Sequence, residues 1–404
     1  MATPTSRPAD SYSPLYFLAS LGAGGLVVTF FMYLMFWVPH PGQQVPIFED
    51  ITAAFATGSL AKQAAISIAV AGIAFFAFLN VKMLLWNLSA LARFKKTGSY
   101  TKLRNSNTQS ALLAGPLAAA MTVNALFIVG LVFVPKLWTV VEVLFPLAMI
   151  AFALIGLWAL RLIGDFLGRI LGQGGAFDMN AHNSFAQLMP AFALSMVAVG
   201  FSAPSAMSSD TTTIAAGLIL STFFGIAAVI YMVIAAITGF GAILQNGMAR
   251  EAGPTLMVIV PLMTVLGIMA LRQNHGLHVA FDAPANDGTT LLFITRLLAV
   301  QVVFALLGML VLLRQGYFTD FVFGTKTSPG SYALVCPGVA LSVMLHFFVN
   351  KGLVSAGVID KYSAMYWAFT LVALALQWTM VALVLRLNRQ HFGTPRSAAA
   401  IPAE

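Results

Sequence analysis

The only cysteine of the chain, Cys336, stands in "SYALVCPGVALSVMLHFF", residues 331–348, directly before Pro337 and Gly338. A thiol is a soft ligand and, as thiolate, a nucleophile, and nearby positive charge and burial set how much thiolate exists. Pro337 lacks an amide hydrogen, so a helix through it is expected to break there and to leave a carbonyl near Ala333 or Leu334 without its usual donor. Gly338 would then let another helix or a substrate approach closely. Two readings of the thiol stand side by side: a small apolar filler of a core, or a constriction and substrate contact on a polar path. His346 lies ten residues further on, about 15 Å along a helix, so a Cys–His pair within that helix is excluded. It reads as a satisfied histidine near a helix end. One cysteine also excludes an internal disulfide framework and a multi-cysteine metal site. No metal or cofactor is expected.

Other polar side chains sit inside apolar runs, where they are candidates for function. Lys82 in "FAFLNVKMLLWN" snorkels or pairs with a neighbour, and Glu142 in "WTVVEVLF" reads as an interfacial carboxylate. Arg161 and Asp165 are spaced i, i+4 and suit an ion pair. Arg296 in "TTLLFITRLLAVQVVF" either offers a fixed positive charge to an anion or snorkels to an interface. Asn124 and Gln187, close to prolines 116 and 190, could line a polar path or bond one helix to another. Neither G-x-S-x-G nor G-x-x-x-x-G-K is present, and "GQGGAF" from residue 172 reads as a flexible connector, so an enzyme is not expected.

The elements that hold these residues are apolar throughout. Of 404 residues, 59% are hydrophobic and 8% charged, against about 25% charged in soluble domains, so the chain reads as a polytopic membrane protein. Runs of about 20 apolar residues suffice to span a bilayer. Ten appear, near 14–38, 64–92, 110–134, 137–163, 184–204, 213–244, 255–272, 288–313, 330–349 and 363–387, so the expected organisation is a tail over 1–13, a ten-helix domain over 14–387 and a tail over 388–404. None alternates as β-barrel strands do. Arg93, Lys95, Lys96, Lys102 and Arg104 crowd the loop after the second run, which by the positive-inside rule puts both tails in the cytoplasm. The charge of +8 is thereby a topology signal and not a nucleic-acid surface.

Odd runs share a feature. "LLAGPLAAAM", "AQLMPAFALS", "MVIVPLMTVL" and "ALVCPGVALS" place Pro116, Pro190, Pro261 and Pro337 at separations of 74, 71 and 76 (190−116, 261−190, 337−261), and the first run has Gly22, Gly24 and Gly25 at that depth. The expected fold is all-α: five helical hairpins, broken odd helices inside around a common axis, even helices outside.

That pattern resembles the tellurite-resistance/dicarboxylate transporter family, which includes the slow-type anion channels. "RNSNTQSALLAGPLAAAM" is similar to its approach to the third helix, without the family's His-Pro pair, and "GSYALVCPGVAL" is similar to its ninth helix. There Cys336 takes the place of the aromatic residue that plugs the pore in the family. The TsoY-like bacterial membrane proteins, some with selenocysteine, are similar as a divergent branch. The resemblance implies a channel or carrier for small anionic solutes, in a homo-oligomer with a trimer as the family's form. The pore candidates are Cys336, Pro337, Gly338, Pro116, Pro190, Pro261, Gly24, Asn124, Gln187 and Arg296. The alternative is a thiol-dependent redox or sulfur-handling protein using Cys336.

Overall fold

A computed structural model describes residues 9–172 and 184–393. Most of the glycine-rich connector after residue 172 and the outer parts of both tails lie outside the described residues. Among the described residues ten helices are long and apolar enough to cross a membrane: α1 (Pro14–Trp37), α2 (Leu60–Phe94), α3 (Asn107–Phe133), α4 (Leu137–Gly172), α5 (Phe185–Met207), α6 (Thr211–Asn246), α7 (Arg250–Phe281), α8 (Asp287–Arg314), α9 (Pro329–Val354) and α10 (Ala364–Phe392). No strand occurs among the described residues. The chain is an all-α, multi-pass membrane protein. The first and last helices meet on one face, where Tyr16 Oη lies 3.2 Å from His391 Nδ1; this is called the terminal face below.

Two kinds of helix start occur along the chain, and they alternate except at α4, which follows left-handed Lys136 and begins with its own 3₁₀ segment, Leu137–Val140, without a side-chain cap. At the start of α2, α6, α8 and α10, the side chains of Ser59, Asp210, Asn286 and Ser363 accept from the amides of Lys62, Thr213, Thr289 and Tyr366. These caps satisfy orphan donors of the first turn. The odd helices begin instead with a 3₁₀ segment, Pro14–Tyr16, Asn107–Leu113, Phe185–Leu188, Arg250–Met257 and Pro329–Leu334, that runs into an α-helix.

This start corrects the expected helix breaks. The α-helical parts begin at Ala114, Met189, Ile259 and Val335, so Pro116, Pro190, Pro261 and Pro337 all fall within their first turn. A first-turn proline has no intrahelical bond to lose, and its fixed φ suits the helix. Val335 N–H donates to Tyr332 O in the tighter 3₁₀ pattern, so the backbone leading into Pro337 is paired and not broken. All four prolines are buried.

Helix boundaries also move. The α7 pattern continues to Phe281, nine residues beyond the expected end at Arg272, and α10 runs to Phe392, past the expected tail boundary at 388. The most apolar stretches of α1, α3, α5, α7 and α9 are 56–94% buried, and those of the even helices 22–33%. Contacts link α1 to α3, α3 to α5, α5 to α7, α7 to α9, and α9 back to α1. The even helices pack on the outside of neighbouring odd ones, as α2 does on α1: Asn80 Nδ2 donates to Ser20 O at 2.8 Å and Ser20 Oγ to Asn80 O at 2.9 Å.

Candidate functional site

A cavity of about 580 Å³ is lined mainly by side chains from α1, α3, α5, α7 and α9, with Phe145, Ala148 and Phe152 of α4, Val45 and the start of α8 completing the wall. Its deepest lining residues are Leu21, Met121, Phe192, Pro261 and Cys336, one from each helix. Nearer the terminal face, Phe17, Leu113, Leu188 and Tyr332 are fully packed. The cavity is therefore a shaft that is blind toward the terminal face and opens at the opposite one.

The shaft wall follows from helical spacing. On α7 the lining residues Pro261, Thr264, Val265, Ile268, Arg272, His275 and His278 recur at three- and four-residue steps, one stripe of one face. The stripe is apolar for its first turns and carries Arg272 and two histidines in its last. On α9, Cys336, Val339, Ala340, Val343 and Phe347 do the same and lead to Lys351, which sits in a π-helical turn, Phe348–Val354. Such wider turns re-aim side chains and recur at functional sites.

The two ends of the shaft differ in chemistry. Near the floor the polar lining groups are already engaged: Asn124 Nδ2 donates to Ala120 O at 3.0 Å, and Thr264 Oγ1 to Ala340 O at 3.2 Å. Aromatic and methionine side chains, including Phe31, Phe127, Phe152, Phe192 and Met196, make up much of the wall. At the mouth stand Arg272, Lys351, His275 and His278, with Asp287 the one lining acid. Arg272 is partly buried and donates from Nη1 to Val199 O at 3.0 Å. Among the described residues no carboxylate lies within 4.0 Å of it; the ion pairs there are Arg104–Asp165, Arg250–Asp320 and Lys326–Asp320. Arg272 lies nine residues before the end of α7, about 14 Å along the helix.

The expected pore residues divide three ways. Cys336, Pro261 and Asn124 line the shaft. Pro116, Pro190 and Pro337 are buried but do not line it. Gly24 and Gly338 serve packing. A Cβ on Gly24 would meet Met121 Cγ at 2.7 Å and Asn80 Nδ2 at 2.9 Å, and one on Gly338 would meet Met380 Sδ at 2.5 Å. The lining glycines of α1 are Gly22 and Gly25 instead, against Val335 and Val339. Gln187 joins two 3₁₀ starts through Nε2 to Asn107 O at 2.7 Å and does not line the shaft. Arg296 is exposed on α8 beside exposed Leu292 and Val300, away from the shaft.

Two further expectations change, and a third, Glu142, gains partners. Asp165 pairs with Arg104 at 3.3 Å and not with Arg161, which stays exposed, because the loop before α3 brings the arginine across. His346 is 1% exposed and neither ring nitrogen has a partner; it is framed by Tyr33, Phe36 and Trp37, so burial among aromatics replaces the expected satisfied histidine. Glu142 is a connector: it accepts from Ser208 Oγ at 2.6 Å and Ser209 N at 2.8 Å and so ties the start of α4 to the turn after α5. Arg272, His275, His278 and Lys351 are the residues that reading the sequence missed. The stripe from Pro261 was the available signal, and ending the helix at Arg272 hid it.

Comparison with known proteins found no matching family model, no matching curated relative and no matching solved structure.

Proposed function

We propose that this chain is a membrane transport protein, a channel or carrier that admits small anions along the axis between α1, α3, α5, α7 and α9. The observation that carries the reading is Arg272: a cation on the wall of a membrane cavity, held by one backbone carbonyl and paired with no carboxylate among the described residues. A charge inside a membrane is costly unless paired or hydrated, and the partner it lacks is an anion. Lys351, His275 and His278 add positive or chargeable groups at the same mouth and would raise the local anion concentration.

In this reading the chain is five repeated hairpins, with odd helices inside. The burial contrast, the closed cycle of odd-helix contacts and the recurring 3₁₀ start with its first-turn proline support it. Four of the five 3₁₀ segments also follow a serine, Ser13, Ser106, Ser184 and Ser328. The floor at Cys336 and Phe192 is the closed gate of the resting state, so an aromatic residue guards the path from α5 while α9 contributes the thiol. The basic loop over residues 93–104 lies on the terminal face, where Phe94 packs on Tyr12, which favours cytoplasmic tails and an outward-facing mouth; insertion in a bacterial inner membrane follows from the resembled bacterial branch. Assembly as a homo-oligomer, with a trimer as the form implied by the resembled family, belongs to the same proposal. The thiol-redox alternative needs a partner thiol from outside a chain that has one cysteine, so transport is the reading kept.

Purified protein in liposomes loaded with an anion-sensitive dye tests it. Chloride, nitrate or a small carboxylate should enter faster than into empty liposomes, with cations excluded. Rates no faster than into empty liposomes for every anion tried would overturn the reading.

A further inference from the structure

The shaft is larger and more apolar than a small inorganic ion requires. At about 580 Å³ it falls in the range of cavities that bury drug-sized organic ligands. Its charge is confined to one end. From Arg272 down to the level of Pro261 is eleven residues of α7, about 16 Å. Over that length the donors of Asn124 and Thr264 are directed to backbone carbonyls, and the remaining wall is mostly aliphatic, aromatic or thioether. A dehydrated inorganic anion near the floor would lose its water without finding donors. An apolar chain in the same place would bury its surface at no such cost.

We propose that the cavity is a binding site for amphiphilic organic anions: a carboxylate-type head at Arg272 and Lys351, and an apolar body running down the shaft toward Phe192 and Cys336. The proposal rests on the anion reading of the mouth and extends it to the class of ligand. A single head group is favoured because the mouth cations stand at one end only, with nothing charged at the floor for a second carboxylate. Arg272 is suited to the head: one of its five N–H donors is used on Val199 O, and its planar fork fits a carboxylate.

The test is binding of radiolabelled octanoate to the full chain in nanodiscs of zwitterionic lipid, with empty nanodiscs subtracted. Saturable binding of one octanoate per chain is expected. In competition, affinity should rise about four-fold per methylene from butyrate to octanoate. Octan-1-ol, which has the body without the charge, should compete at least about tenfold more weakly. Lys351→Gln, at an exposed rim position, should weaken octanoate several-fold and leave the fold intact. Arg272→Gln should weaken it further, and if that variant does not fold, the Lys351→Gln result decides. The proposal is overturned by absence of saturable binding, by affinities independent of chain length, by chloride displacing octanoate at equal concentration, or by unchanged affinity in Lys351→Gln together with any folded Arg272 variant. Flux separates the two claims. Inorganic anion flux without octanoate binding leaves transport standing and overturns this proposal, whereas octanoate binding without flux of any anion retains the site and overturns transport.

Discussion

The two ends of the odd-helix bundle use polar groups in opposite ways. Toward the terminal face they are spent on the protein. Gln187 is bound to Asn107 O, Arg169 to Gln109 Oε1 at 3.3 Å and Ser106 O at 3.2 Å, Tyr317 to Ser331 at 2.9 Å, and Tyr332 to Asn388 at 2.8 Å. At the open end Arg272 keeps most of its donors, and Lys351 and two histidines share the mouth with a single acid. In a bilayer a polar group must find a partner inside the protein or in water. The sealed end meets that demand by hydrogen bonds between helix starts; at the open end Glu142 is likewise bound by Ser208 and Ser209, and His278 Nδ1 lies 2.8 Å from Ala283 O, while Arg272 and Lys351 meet it with solvent and whatever anion enters. The difference teaches where to look for function: at the polar groups that the fold leaves uncommitted.

The most severe way to break the contrast is to extend the seal upward. Cys336→Phe places an aromatic ring at the floor, where the thiol is 9% exposed. Anion flux into proteoliposomes is expected to fall to the empty-liposome rate while the purified protein keeps its circular dichroism and elution volume. Normal flux through this variant would show that the path does not pass Cys336.

Removing the uncommitted cation is the next largest change. Arg272→Gln should lower anion flux at least about tenfold, and Arg296→Gln, on the exposed face of α8, should leave it unchanged. Equal losses in the two variants would mean that the fixed charges act through membrane insertion and not through the shaft.

At the sealed end the effects are on stability. Gln187→Leu removes the donor to Asn107 O and should cost about 1–2 kcal/mol, read as a lower Tm in detergent, with the transport rate per folded molecule unchanged. His346→Phe should do the reverse. Both ring nitrogens are buried and unpartnered, so a ring of similar shape without them is expected to raise stability by up to about 1 kcal/mol. A clear loss of Tm in His346→Phe would reveal a partner in the working protein.

The smallest effect belongs to Asp320 on the terminal face. The hydrogen bond from Lys326, together with the nearby Arg250 charge, holds its carboxyl below the ordinary aspartate value. A lowered folded value means that the contribution is present above about pH 4 and is lost as acid protonates Asp320 in the folded chain. Asp320→Asn should therefore lower Tm by no more than about a degree at neutral pH and low salt. The difference should shrink in high salt and vanish at low pH.

The sequence by itself determined the solvent and the secondary structure. Ten apolar runs in a chain with 8% charged residues admit only membrane helices, because burying unpaired backbone in lipid leaves no other choice but a closed barrel. The proline spacing along the odd runs was also legible, since it is a property of the chain alone. The meaning of those prolines was not. Whether a proline breaks a helix or opens one depends on where the 3₁₀ segment ends, and that is decided by packing of residues such as Phe17, Leu188 and Tyr332 against other helices. Asn124 and Cys336 could be named as polar groups on a path, while Gly24 and Gly338 could not be told from lining residues until Met121 and Met380 were seen against them. The arginines show the limit most plainly. Arg272 and Arg296 both follow apolar stretches, and one-dimensional hydropathy treats them alike. Only the rotation of α7 and α8 about their axes, fixed by contacts distant in sequence, turned Arg272 into the shaft and Arg296 out toward the perimeter.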